Sequence, residues 1–297
     1  MRTAMRNEPN RSGRRHGPQP RSSGDGCVWY LAKAGSVLEG LSCEELILSL
    51  LYARLDSGVM KAFVLAGGAG TRLSPLTSYV PKGMIPISGK PFIDYVVEYL
   101  SRHGIRNIMM LLSDEDSEVF RNHLEDGSKF GVSIGYNISP RLGTAMALKE
   151  AADHVDGTFV VYYGDVLTNM DLSEMIRFHK SRGAVCTIAL STSVKIDYGV
   201  GKVDGDGRIQ YFAEKPVLSD YPVSIGIYVC EPGFLEYLSL GKDLAADILP
   251  HLLSKGAKFY GFITKEPHHD IGSFKQLDEA KYILKPQKGR AKQSSHT

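Results

Sequence analysis

The chain has 297 residues, 43% hydrophobic and 23% charged, with a net charge of +2. That composition excludes a wholly disordered chain, a coiled coil and a collagen-like fibre, and no run of 18 apolar residues is present to make a helical membrane span. Residues 1–25 and 285–297 each carry +4, which leaves −6 on the residues between them; basic groups on solvated ends, rather than on a folded face, argue against a nucleic-acid-binding domain.

Residues 1–25 are rich in Arg, Gly, Pro and Ser, have little to bury, and read as disordered. They are basic but lack the apolar block of a signal peptide. Ser42 and Glu45 form a capping box ahead of Leu46, Ile47, Leu48, Leu50, Leu51 and Leu55, which predicts an amphipathic helix within 36–55. That helix could pack on the body, bind a partner, or join copies of the chain in a homo-oligomer. Met60 opens what reads as a complete domain start. Residues 1–59 are then an N-terminal extension or an artefact of an upstream start codon, 60–284 the folded domain, and 285–297 a basic tail.

From Lys61 onward strand and helix patterns alternate. Strands are predicted at 62–66, 107–112, 132–138, 158–163, 185–190, 224–229 and 258–263. Pro91 opens a helix with Ile93, Val96, Val97 and Leu100 on one face and Gly104 at its end. Further helices are predicted at 118–124, 144–153, 171–181 (with Asp171 and Glu174 as a capping box), 243–255 and 274–284. Asp204-Gly205-Asp206-Gly207 between 200–203 and 209–212 signals a hairpin. Strands alternating with helices of this length imply a three-layer α/β/α, Rossmann-like fold with a mainly parallel sheet; the hairpin implies an antiparallel addition to it. Cys27, Cys43, Cys186 and Cys230 form no CxxC pair, so neither a zinc site nor a disulfide framework is expected. A reducing, cytoplasmic setting fits.

In such sheets ligands bind beyond the carboxyl ends of the strands. Directly after the first strand stands Leu65-Ala66-Gly67-Gly68-Ala69-Gly70-Thr71-Arg72-Leu73. Its glycines let the backbone approach a ligand and aim N–H groups at it, and phosphate is the natural guest. The Gly-Lys-Ser/Thr ending of a Walker loop is absent, and Leu73 stands where a dinucleotide fingerprint needs its third glycine. Arg72 offers a bidentate fork and Lys82 a point charge, both suited to a polyphosphate; the alternative is a glycine-rich turn with solvated cations. Asp165, after the fourth strand, suits Mg²⁺ or is a loop or capping Asp. Asp270 either caps the last helix or gives the same metal a second carboxylate, with His268 and His269 as a surface pair. Glu214 and Lys215, before Pro216, could hold a hydroxyl and a phosphate. Together these residues ask for a nucleotide, a metal and a phosphorylated second substrate.

The string LAGGAGTRLSPLTSYVPKGMIPISGKP at Leu65–Pro91 carries a family resemblance. It continues through Leu142-Gly143-Thr144-Ala145, Gly164-Asp165-Val166-Leu167, Tyr198-Gly199, Glu214-Lys215-Pro216, Gly226-Ile227-Tyr228 and Asp270-Ile271-Gly272. Over about 60–284 the chain resembles the sugar-1-phosphate nucleotidylyltransferases (NDP-sugar pyrophosphorylases), most of all short mannose-1-phosphate guanylyltransferases, with glucose-1-phosphate thymidylyl- and uridylyltransferases as close rivals. It departs from the family pattern at His269, where Trp is frequent, at Ser224-Ile225, where Asn-Ala is frequent, and at Gly83, where Pro is common. The resemblance implies a glycosyltransferase-A-like domain without a C-terminal β-helix, and Mg²⁺-dependent transfer from an NTP, GTP first, to a sugar-1-phosphate. It implies catalytic roles for Arg72 and Lys82 and a nucleotide site from Leu65, Ala66, Gly67, Gly68, Gly70, Thr71, Leu142 and Gly143. It implies sugar-phosphate contacts from Gly199, Glu214 and Lys215, and metal ligation by Asp165 and Asp270. A regulatory subunit that keeps the fold without turnover is the alternative in another class, as is a transferase acting on a non-sugar phosphate.

Overall fold

The computed structural model describes residues 60–283 apart from 193, 196, 197, 216 and 219–221. The readings of 1–25, of the helix within 36–55, of the basic tail and of Pro216 lie outside the described residues. The main elements are β1 (Lys61–Leu65), α1 (Phe92–Arg102), β2 (Asn107–Ser113), α2 (Ser117–Leu124), β3 (Ser133–Ser139), α3 (Thr144–Glu150), β4 (Phe159–Tyr163), β5 (Val166–Thr168), α4 (Leu172–Arg182), β6 (Cys186–Ser191), β7 (Val200–Val203), β8 (Ile209–Ala213), β9 (Val223–Cys230), α5 (Leu249–Ser254), β10 (Phe259–Thr264), β11 (His268–Asp270) and α6 (Phe274–Ile283).

The local causes are those of the sequence. The apolar stripe of α1 is buried through Phe92, Ile93, Val96, Val97 and Leu100, each contributing about 1.5–3 kcal/mol of transfer free energy. Asp171 caps α4 by accepting the backbone N–H of Glu174 at 3.1 Å. Two segments differ from expectation. The helix from Thr144 stops at Glu150 and tightens into a 3₁₀ turn at Ala152–His154. The helix expected at 243–255 opens with a π-helical turn at Leu244–Ile248 before α5.

The seven-stranded sheet has the order β10-β6-β9-β4-β1-β2-β3. Its pairings are parallel for β4, β1, β2 and β3 and for β10 with β6; β9 runs antiparallel to both its neighbours. The antiparallel member is therefore β9, and the β7–β8 hairpin forms a two-stranded ribbon of its own. The correction has a physical reason: the hairpin leaves Val203, Ile209, Tyr211 and Phe212 exposed, so it does not share the buried environment of a central strand. Side chains alternate across β1. Ala62 and Val64 pack with α1, α2, α4 and α6, whereas Phe63 packs with α3, α5 and the turn at Pro232–Leu240. This makes three layers around one sheet, the α/β/α architecture read from the sequence.

The chain winds outward from β1 through β2 to β3, then returns to place β4 on the other side of β1. That reversal opens a crevice beyond the carboxyl ends of β1 and β4, the usual ligand position in open α/β sheets.

Candidate active site

A cavity of about 510 Å³ occupies that crevice, within the size range of small-molecule sites. It is lined by Leu65–Arg72 from the loop after β1, Lys82 and Gly83, the ends of β2 and β3, Pro140–Thr144, Tyr163–Asp165 after β4, and Gly272. All eight nucleotide-site residues expected from the sequence line it, as do Arg72, Lys82 and Asp165.

The glycine-rich loop is held by contacts only small residues allow. A Cβ on Gly67 would lie 2.7 Å from the backbone nitrogen of Ser113 at the end of β2, whereas a Cβ on Gly68 would meet nothing within 4 Å. Gly67 is thus a packing glycine, and Gly68 leaves its backbone open to the cavity. Thr77 Oγ1 donates to the Gly70 carbonyl at 3.0 Å. Gly164 N–H donates to the Leu65 carbonyl at 2.9 Å, which ties the end of β4 to the end of β1. Across the cavity Gly143 has φ of 96°, a backbone region that favours glycine. It stands at the start of α3, where Thr144 Oγ1 donates to Asp243 at 3.0 Å and accepts from Leu244 N–H at 2.9 Å. The Tyr163 hydroxyl is buried beside the cavity without a hydrogen-bond partner, and burial raises its pKa.

The charged groups converge. Lys82 Nζ forms an ion pair with Asp165 Oδ2, and both side chains are largely buried. Asp270 ends β11, which pairs antiparallel with β5 so that Asp270 faces Val166, the residue after Asp165. Ile271 N–H donates to the Asp165 carbonyl at 3.1 Å, which closes the ribbon next to both carboxylates. A Cβ on Gly272 would lie 2.8 Å from Arg72 Nη2, so the same strand brings Arg72 in. Asp270 does not cap the last helix. Ser273 does, accepting Gln276 N–H at 3.3 Å.

Two carboxylates on adjoining backbone are hard oxygen donors with no thiolate or imidazole completing a cluster among the described residues. That donor set fits Mg²⁺, which keeps several waters and takes one or two carboxylates together with substrate phosphates.

The remaining expected residues lie elsewhere. Gly199, Glu214 and Lys215 are exposed and do not line the cavity. Gly199 packs against Phe212 and Glu214, and Lys215 has φ of 46°, a conformation uncommon for a side-chain-bearing residue. Their segment leaves the sheet at Ser191, which pairs with Val223, so it rises from the same end as the cavity. Sequence reasoning missed Arg141, which lines the cavity and reaches the Gly67 carbonyl; a single Arg in a loop gives no motif signal.

Phosphate-sized backbone donors, two cations and a carboxylate pair at the switch point of an open sheet define a nucleotide-handling α/β protein. The chain belongs to the nucleotidyl transferase family, whose family model matches residues 61–286. It is 36% identical over 234 residues to a UTP–glucose-1-phosphate uridylyltransferase of Synechocystis, covering 72% of this chain and 60% of the relative. It is 32% identical to a mannose-1-phosphate guanylyltransferase of Mycobacterium tuberculosis, covering 71% and 61%. It is also 32% identical to a D-glycero-alpha-D-manno-heptose 1-phosphate guanylyltransferase of Aneurinibacillus thermoaerophilus, covering 72% and 93%. The chain thus spans about 60% of the length of the first two relatives. Among solved structures it is similar to HddC from Yersinia pseudotuberculosis complexed with GMP-PN, with a TM-score of 0.60, 27% identity, and coverage of 76% of this chain and 100% of that one.

Proposed function

We propose that the protein transfers a nucleotidylyl group from a nucleoside triphosphate to a sugar-1-phosphate, giving a nucleoside diphosphate sugar and pyrophosphate. The observation that carries this reading is the convergence of the Gly67–Gly70 loop, Arg72, Lys82 and Asp165 on one cavity, in a family with relatives named as uridylyl- and guanylyltransferases acting on sugar-1-phosphates.

An oxygen of the sugar-1-phosphate attacks the α-phosphorus in line. The bond from that phosphorus to the bridging oxygen breaks, and pyrophosphate leaves with the electron pair. No covalent enzyme intermediate is needed, so the protein's task is to align two anions and offset their repulsion. Backbone N–H groups of 67–70 meet the nucleotide phosphates, with Leu65, Ala66, Thr71, Leu142 and Gly143 completing the nucleotide pocket. Arg72 binds the β- and γ-phosphates and stabilises the leaving pyrophosphate. Lys82 turns from Asp165 toward the α-phosphate as charge develops there. Asp165 and Asp270 would hold Mg²⁺, which when bound supplies further neutralisation of the phosphate charge. Gly199, Glu214 and Lys215 are assigned to the sugar phosphate, which enters on the side of their segment.

GTP with mannose-1-phosphate is the leading pair. UTP with glucose-1-phosphate is the second, favoured by the 36% identical relative. The test crosses GTP, UTP, dTTP, CTP and ATP with both sugar phosphates in the presence of Mg²⁺ and identifies the products. One preferred pair with a nucleoside diphosphate sugar as product supports the reading. Folded protein that binds nucleotide and turns over no pair contradicts it in favour of a binding subunit.

A further inference from the structure

Three loops meet at the nucleotide side of the cavity, and one side chain joins them. Arg141 follows β3. Its Nε donates to the Gly67 carbonyl at 3.3 Å. Its Nη2 lies 2.9 Å from Asp116 Oδ2 and its Nη1 3.1 Å from Glu115 Oε2, both in the turn after β2. Asp116 is itself mostly buried and accepts the Ser113 hydroxyl at 3.1 Å. Ser113 N is the atom on which Gly67 packs. The guanidinium therefore closes a ring running from Gly67 through Arg141, Asp116 and Ser113 back to Gly67.

A planar fork spanning two carboxylates and a carbonyl uses the geometry that separates Arg from Lys. Held at its carbonyl, the 67–68 peptide has a fixed plane, and with it the direction of the Gly68 N–H. We propose that Arg141 is a positioning residue. It latches the glycine-rich loop in the orientation that receives the triphosphate and acts on the nucleotide through that loop. The inference rests on the reading of this cavity as a nucleotide site.

The competing role for a cation here is direct attraction of the triphosphate, and the two differ in sign. If Arg141 is a latch anchored by Asp116, Asp116→Asn loosens the loop and weakens nucleotide binding. If Arg141 binds phosphate directly, Asp116→Asn releases the cation and tightens binding. The experiment measures nucleotide Kd by calorimetry, with GTP and with UTP as probes, for the wild type, Arg141→Ala, Arg141→Lys, Asp116→Asn and the Arg141→Ala/Asp116→Asn double variant. Amide hydrogen exchange of the 65–73 segment in the ligand-free proteins is the second readout.

A charge-assisted contact of this kind corresponds to on the order of tenfold in Kd. The latch gives that loss in Arg141→Ala and in Asp116→Asn. It gives no rescue by Lys, a double variant no worse than Arg141→Ala, and faster exchange of 65–73 in each variant. Tighter binding by Asp116→Asn, rescue by Arg141→Lys, or unchanged exchange of the loop would overturn it. Failure of the wild type to bind any nucleotide would overturn the reading of the cavity; the exchange rates would then still decide whether the latch exists.

Discussion

Gly67 and Gly68 are neighbours with opposite reasons for being glycine. A methyl on Gly67 meets the backbone of Ser113, which cannot move aside, while a methyl on Gly68 meets open space in the cavity. Gly67→Ala is therefore expected to cost about 1–3 kcal/mol of stability, several degrees of Tm for a domain of this size. Gly68→Ala is expected to leave Tm nearly unchanged and to raise the nucleotide KM. Losing one N–H contact to a charged phosphate, about 1.5–3 kcal/mol, raises it on the order of 10–100-fold. Thermal denaturation and steady-state kinetics of the two variants check both halves; equal loss of stability in both would contradict the division of labour. At this scale much was legible, because the string from Leu65 to Lys82 combines backbone freedom with fixed cations. What sequence could not assign was which glycine serves packing and which serves the ligand, since that depends on where β2 ends.

Among the elements, the long periodic ones were read within a residue or two, as α1 illustrates. The β5–β11 ribbon was not, because three-residue segments carry no period. It is nonetheless the element that sets Asp270 beside Asp165. The hairpin was read correctly as a hairpin and wrongly as part of the sheet, since turn chemistry specifies pairing between β7 and β8 and says nothing of what they pack on. One element carries a pH dependence. His179 on α4 is fully buried, with Nδ1 2.9 Å from Thr187 Oγ1 and Nε2 3.1 Å from Glu231 Oε1. Burial holds its pKa below the usual imidazole value, outweighing the Glu231 contact that raises it. The unfolded chain then takes up the proton at a higher pH than the folded one. The contribution of His179 is fully present above about pH 6.5, the unfolded value, and is lost as pH falls from there toward the lowered folded value. Urea midpoints at pH 7.5, 6.5 and 5.5 are expected to fall more steeply for the wild type than for His179→Gln. Parallel curves would sink the assignment.

For the molecule as a whole, the order of the sheet decides where chemistry happens. The reversal between β1 and β4 was not legible, because strand order depends on which of several right-handed crossovers the packing selects. Its consequence, ligands beyond the strand ends, followed from the α/β class alone. Gly199, Glu214 and Lys215 belong to the sequence motif yet stand outside the cavity; a motif records order along the chain, not distance across it. A nucleotide that binds the folded domain alone stabilises it by mass action, by about 2.7 kcal/mol at a hundred times its Kd. That is roughly 5–10 °C in Tm for a domain of this size. Thermal shift with GTP or UTP in the presence of Mg²⁺ is expected to show this rise, and an unmoved Tm at millimolar nucleotide would contradict it.

The most direct test of the central claim is the stoichiometry and rate of nucleotidylyl transfer in the wild type, Arg72→Ala and Asp165→Asn. Wild-type protein with its preferred NTP and sugar-1-phosphate is expected to release one pyrophosphate per nucleoside diphosphate sugar formed. Removal of a charge-stabilising group at the reacting phosphates commonly costs on the order of 10²–10³ in kcat. Both variants are expected to lose at least ~100-fold while keeping the wild-type Tm. Near-wild-type turnover by either variant, or nucleoside diphosphate sugar formed without matching pyrophosphate, would contradict the assignment of this cavity as the site of transfer.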